Sequence, residues 1–115
     1  MGFQCVIIEG NLGTDVESRF TTDGKQVSTF RVAVNGYNNE AEWFSIVAWE
    51  KRAEWAEKWL QKGKGVIVRG RMKTRSWDDN QGVKRYRTEL IAESLDFTSG
   101  KREDGNSGGD APFEN

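Results

Sequence analysis

An all-β domain carrying one helix between its third and fourth strands is the fold class that this 115-residue sequence predicts, on three observations. Apolar and polar residues alternate through 26–35 and again through 42–49. The period then lengthens to that of a helix over 50–62. Two long extended runs follow within 65–97, joined across Asp78-Asp79-Asn80-Gln81-Gly82, which is the pattern of a β-hairpin.

The first strand is predicted over residues 3–11. Cys5 and Ile7 are apolar on one parity and Val6 and Ile8 on the other, so both faces require cover. A small barrel covers one face, and another subunit is the expected cover for the second. Gly10 and Gly13 bracket Asn11 and Leu12 and mark a bulge or tight bend. Residues 14–25 read as a polar connection with a turn at Thr21-Thr22-Asp23-Gly24. In the strand 26–35, Phe30, Val32 and Val34 share one face and Thr29, Arg31 and Ala33 the other. Tyr37 is the one aromatic of the loop 36–41, either a loop staple or a stacking platform.

In the strand 42–49, Phe44, Ile46 and Ala48 take the core side, which turns Trp43, Ser45, Val47 and Trp49 outward. Two Trp residues six apart on one face suit either a core or a flat binding surface. Over 50–62, Trp49, Ala53, Ala56 and Leu60 form one helical stripe. Trp55 and Trp59 read as packing residues, Glu50, Glu54 and Glu57 as a solvated face, and Gly63 as the C′ residue that stops the helix.

The hairpin carries the most distinctive pattern. Ile67, Arg69, Arg71, Lys73, Arg75 and Trp77 share one strand face. Cations in a row that end in an aromatic plate suit a nucleic-acid strand, with phosphates on the cations and a base on the indole. A solvated hairpin whose charged edge resists aggregation would carry the same pattern. Three strands, a helix and a further two strands follow the order of the five-stranded OB-fold, a Greek-key barrel, here expected over residues 1–98.

Net charge is −1, which alone argues against a polyanion partner. Its distribution reverses that inference. Residues 99–115 hold two of the 17 cations and four of the 18 acids, which leaves 15 and 14 in the body, net +1. Seven cations, Lys84 and Arg85 among them, lie between Arg69 and Arg87, against Asp78 and Asp79 at the turn. Local patches steer a polyanion more than the total does.

With these residues in view the chain resembles the bacterial-type single-stranded DNA-binding proteins over roughly residues 4–97. The resemblance rests on Val6-Ile7-Ile8-Glu9-Gly10-Asn11-Leu12-Gly13-Thr14-Asp15, on Trp43-Phe44-Ser45-Ile46-Val47-Ala48-Trp49 with the helix ending at Lys62-Gly63, and on Gly70-Arg71-Met72-Lys73-Thr74-Arg75-Ser76-Trp77. It implies a homotetramer, or at least a dimer, that coats single-stranded DNA without sequence preference in replication, recombination and repair. Stacking positions carry over as Trp43 and Trp77, with Trp49 where relatives often have another aromatic and Tyr37 in a loop of variable length. Lys51, Lys62 and the row Arg71, Lys73, Arg75 are the cations that would meet phosphates.

The segment 99–115 holds no aliphatic residue larger than alanine, so it is expected to be a disordered, Gly-rich acidic tail. Relatives usually end in Pro-Phe after a long linker, whereas here Asp110-Ala111-Pro112-Phe113 is followed by Glu114 and Asn115. Asp110, Pro112 and Phe113 read either as a degenerate acidic tip that recruits replication and repair proteins or as an end without a partner. No catalytic residue, metal site or cofactor is predicted: there is no His, Cys5 stands alone, and no Gly-rich phosphate loop opens a helix. A metal-dependent nuclease on the same barrel would need two or three convergent carboxylates, and the face in question offers Arg, Lys and Trp. An interaction module touching DNA weakly is the other alternative. The lone cysteine, the lack of a long apolar run and the early Glu9 predict a reducing, intracellular compartment with no membrane partner, and the resemblance implies a cytoplasmic, nucleoid-associated protein.

Overall fold

The computed structural model describes residues 2–98. They form β1 (Val6–Leu12), β2 (Glu17–Phe20), β3 (Gln26–Asn35), β4 (Ala41–Trp49), α1 (Lys51–Trp59), β5 (Gly65–Asp78) and β6 (Lys84–Phe97). The tail residues Asp110, Pro112 and Phe113 lie outside the described residues.

The two alternating runs pair in register as β3 and β4, from Val27 opposite Trp49 to Asn35 opposite Ala41. The pairing then closes on itself. β1 pairs with β5, β5 with β6, β6 with β4, β4 with β3, and β3 returns to β1 at Asn11–Ala33 and Leu12–Val32. All contacts are antiparallel except β4 with β6, which run parallel through Ile46–Leu90 and Val47–Ile91. Five strands in a ring with one parallel pair is the OB-fold arrangement, as the order of elements predicts.

β2 is the correction to that order. The polar stretch 14–25 contains a four-residue strand that pairs with the outer edge of β3, so the helix falls between the fourth and fifth strands. No apolar alternation announces it, because backbone pairing and a 2.6 Å hydrogen bond between Ser18 Oγ and Ser28 Oγ hold it instead. The expected turn follows, with the Gly24 amide donating to Thr21 O.

Inward residues of the ring, among them Phe30, Val32, Ile46, Val66, Val68, Leu90 and Leu95, are fully buried. α1 plugs one end of the barrel with Ala53, Ala56 and Trp55, and Ser28 Oγ donates to Ala53 O at 3.0 Å. Trp55 and Trp59 both pack on Phe97, at ring-centroid distances of 5.1 and 6.3 Å, the packing role expected of them. The helix is shorter than its periodicity suggests. Leu60, buried in the core, already has extended backbone, and Gly63 sits at φ 91° in the turn after it rather than at C′. The chain leaves the helix early because Gly63 and Lys64 exchange backbone hydrogen bonds with Leu12, 2.9 Å each.

β1 turns Ile8 and Leu12 into the core and leaves Cys5 exposed and Ile7 63% exposed. Its residues 6–10 pair with β5 alone, so within the described chain their other edge is open.

Candidate nucleic-acid interface

Residues paired directly across two strands share a sheet face, so the register shows which surface each row joins. Val47 of β4 stands beside Ile91 of β6, which stands beside Arg71 of β5. The outward Trp row of β4 and the cation row of β5 therefore belong to one continuous surface.

That surface is concave. Val27, Thr29 and Arg31 of β3, Ser45, Val47 and Trp49 of β4, and Arg87, Glu89 and Ile91 of β6 form the floor of a groove of about 600 Å³. Glu17 and Arg19 of β2 wall one side, with Lys73 and Arg75 of β5 on the other. Five cations (Arg19, Arg31, Lys73, Arg75 and Arg87) line it against Asp15, Glu17 and Glu89. Val47 is buried although it points out of the barrel, because the groove walls rise around it.

Trp43 continues the same face beyond the groove and is 50% exposed. Its position is set by the bend after β1. The Gly13 amide donates to Arg31 O at 2.8 Å, and the Arg31 amide donates to Thr14 Oγ1 at 3.2 Å. That zipper brings Gly13 under the indole so closely that a Cβ there would lie 2.2 Å from Trp43 Cζ3. The Arg31 guanidinium stacks on the same ring, 4.8 Å from its centroid. Trp43 and Trp49, six residues apart on one strand, are separated by about 20 Å.

The hairpin tip is rigidly built. Asp79 Oδ1 accepts the Gln81 and Val83 amides at 2.9 Å each, and Oδ2 accepts Arg85 Nε at 2.9 Å. The Val83 amide above all, with Gln81 and Arg85, holds the Asp79 carboxyl below its ordinary value of 3.8 against a smaller opposing effect of burial. Trp77, 44% exposed, pairs with Arg85 at this tip.

Of the residues singled out from sequence, the structure brings Trp49, Lys73 and Arg75 into the groove and Trp43 onto its continuation. Trp77 and the 97% exposed Tyr37 stand at the ends of the β5–β6 and β3–β4 hairpins. Arg69 and Arg71 do not line the groove and lie 4.0 and 3.8 Å from Glu93. Lys84 faces Asp78 at 3.9 Å, on the side of the hairpin opposite Trp77. Lys51 opens α1, and Lys62 lies in the loop after it, its amide donating to Asp15 Oδ1. Neither lines the groove.

Sequence reasoning missed Arg19, Arg31 and Arg87 as groove cations, and Glu89 among them. Arg31 was legible as an outward residue of β3, and Arg87 as the residue opposite Arg75 in the hairpin. Arg19 lies on the strand that polarity concealed. Among the described residues, no three His, Cys, Asp or Glu side chains group closely enough to hold a metal ion, and no helix is long and apolar enough to cross a membrane.

An OB barrel whose outer β3–β4–β6 face carries a groove lined by five cations and Trp49, with Trp43 on its continuation, offers the charge and the flat rings that an extended polyanion with stackable groups would need. The chain belongs to the Single-strand binding protein family, whose profile matches residues 3–98. It is 36% identical over 121 residues to Single-stranded DNA-binding protein 1 of Chlorobaculum tepidum, covering 97% of this chain and 74% of the relative. It is 34% identical over 111 residues to the Single-stranded DNA-binding protein of Streptococcus pneumoniae serotype 4, covering 90% and 71%. The protein of that name from Halalkalibacterium halodurans is 40% identical over 98 residues, 80% of this chain and 58% of the relative.

Proposed function

We propose that this protein binds single-stranded DNA without sequence preference and coats it during replication, recombination and repair. The observation that carries the reading is the shared surface of the cation row and the outward tryptophans, fixed by the register through Val47, Ile91 and Arg71. Lys73, Arg75, Arg87 and Arg31 take phosphates, which supply affinity regardless of sequence. Bases stack on Trp43, Trp49 and Trp77, and each stack contributes about 1–3 kcal/mol. A duplex hides its base faces, so these indoles select unpaired strands. Lys51, Lys62, Arg69, Arg71, Lys84, Arg85 and Tyr37 lie outside the groove, where they serve a longer strand that continues past it.

The protein acts by binding, not by catalysis, in the cytoplasm at the nucleoid. Residues 1–98 are the binding domain, with 99–115 an appendage whose Asp110, Pro112 and Phe113 would meet replication and repair proteins. A homotetramer, or at least a dimer, is the assembly that the open edge of β1 and the exposed Ile7 favour, since an unpaired edge beside an apolar side chain invites a second sheet. Fluorescence titration with oligo(dT), a mixed-sequence oligonucleotide and a hairpin duplex tests the main reading. Tight and equal binding of both single strands, with the duplex weaker by orders of magnitude, is the expected result. Equal affinity for the duplex would overturn it.

A further inference from the structure

One carboxylate sits where a polyanion groove has least use for it. Glu89 lies on the groove floor with its side chain only 11% exposed, among cations that remain about half exposed. Arg75 donates to it twice, Nε to Oε1 at 3.1 Å and Nη2 to Oε2 at 3.2 Å. Arg87, two residues before Glu89 on β6, approaches the same carboxylate along its own strand, Nε to Oε2 at 3.8 Å, whereas Arg75 reaches it from β5. The register puts Arg75 directly opposite Arg87 and Glu89 directly opposite Lys73. Like charges opposed across a ladder repel, and a shared anion relieves the repulsion. The fork that Arg75 offers Glu89 is also the fork an arginine offers a phosphate.

We propose that Glu89 is a built-in substitute for a backbone phosphate, a residue that sets how tightly and how salt-sensitively the groove holds DNA. In the free protein it occupies Arg75 and Arg87, so the groove presents fewer available cations than its composition suggests. A phosphate arriving at either guanidinium displaces part of this internal pairing instead of a mobile counterion. Both affinity and the dependence on salt are thereby lowered. A coating protein that must be stripped from its strand gains by such moderation. The inference rests on the reading that this groove takes single-stranded DNA.

Glu89→Gln is the informative change, because the amide keeps an oxygen for Arg75 Nε while the charge goes. At 50 mM salt the variant should bind oligo(dT) roughly fivefold tighter, the effect of removing one like charge at contact distance in water. Its plot of log affinity against log salt should steepen by about 0.7 for each cation released to a phosphate. The gain should shrink at 0.3 M salt, where charges are screened within a few ångströms. Unchanged slope, or weaker binding by a variant with the parent's circular dichroism and melting temperature, would overturn the proposal and leave Glu89 as scaffold for the arginines. If the Gln variant does not fold, Arg87→Gln in the otherwise unchanged chain carries the test. It should reduce the slope by much less than the roughly 0.7 that a freely available cation supplies, and loss of the full amount would overturn the proposal. A parent chain that fails to bind oligo(dT) removes the DNA reading itself, whereas parent binding with no effect of either substitution removes only the role of Glu89.

Discussion

Adding one methyl group at Gly13 separates the positioning of Trp43 from its presence. A Cβ at this residue would lie 2.2 Å from Cζ3 and 2.6 Å from Cη2 of the indole. Carbon atoms in good contact stand about 3.5–4.0 Å apart, so the ring must retreat by more than about 1 Å. The Gly13 backbone lies outside the left-handed region, so alanine itself is not strained there. Trp43 is half exposed and can swing into solvent, which spares the core. Its stack on Arg31 is lost with the movement, at a cost of about 0.5–1 kcal/mol for an exposed pair. Gly13→Ala should therefore leave the melting temperature within a few degrees of the parent. Its affinity for oligo(dT) should fall by about 1 kcal/mol, roughly fivefold, part of the 1–3 kcal/mol expected for Trp43→Ala. The double variant should bind no worse than Trp43→Ala alone, because both changes remove the same plate. Full affinity in Gly13→Ala, or additive losses in the double variant, would refute the placement of Trp43 as a stacking surface held by the bend.

Other outcomes follow from the same geometry. Gly70→Ala puts a Cβ 1.9 Å from Ile91 O, a backbone atom that cannot yield, beside the register shift between Arg69 and Gly70. It should destabilise the fold by about 1–3 kcal/mol, visible as a melting temperature lowered by about 5–20 °C, and an unchanged melt would contradict the tight β5–β6 contact. Ile7→Asp charges the exposed parity of β1 and should reduce the sedimenting mass without lowering the monomer's stability. A parent that sediments as a monomer at micromolar concentration would remove the proposed assembly. The Asp79 carboxyl is held below 3.8, so the tip is fully stabilised above that value and loosens as pH falls through the lower, folded value. The Gln81 and Val83 amide resonances should shift together below pH 3.8, and a transition above pH 4 would contradict the arrangement.

Much of this was legible in the residues because period-two alternation fixes faces before any fold is known. Placing Phe44 and Ile46 inside forced Trp43 and Trp49 outside, and the structure keeps that division. The same rule applied to β5 found Lys73 and Arg75 but grouped Arg69 and Arg71 with them. Those two diverge because β6 carries an extra residue, Glu93, between the partners of Arg69 and Gly70, and its carboxylate draws both arginines. A bulge has no local sequence signature when no glycine marks it on the bulged strand. β2 escaped notice for a different reason: its exposed side chains carry no apolar pattern, and its stability comes from the neighbouring strand. The opposition of Arg75 and Arg87 over Glu89 depends on hairpin register, which the turn sets and composition does not reveal.

Ultraviolet crosslinking of oligo(dT) to the full chain, followed by peptide mapping, tests most directly whether the β3–β4–β6 face and the β5 hairpin carry the DNA. Crosslinks at Trp43, Trp49 and Trp77, suppressed by excess unlabelled single strand and not by duplex, are the predicted result. Crosslinks confined to α1, or to the opposite face of the β5–β6 hairpin at Tyr86, would contradict it.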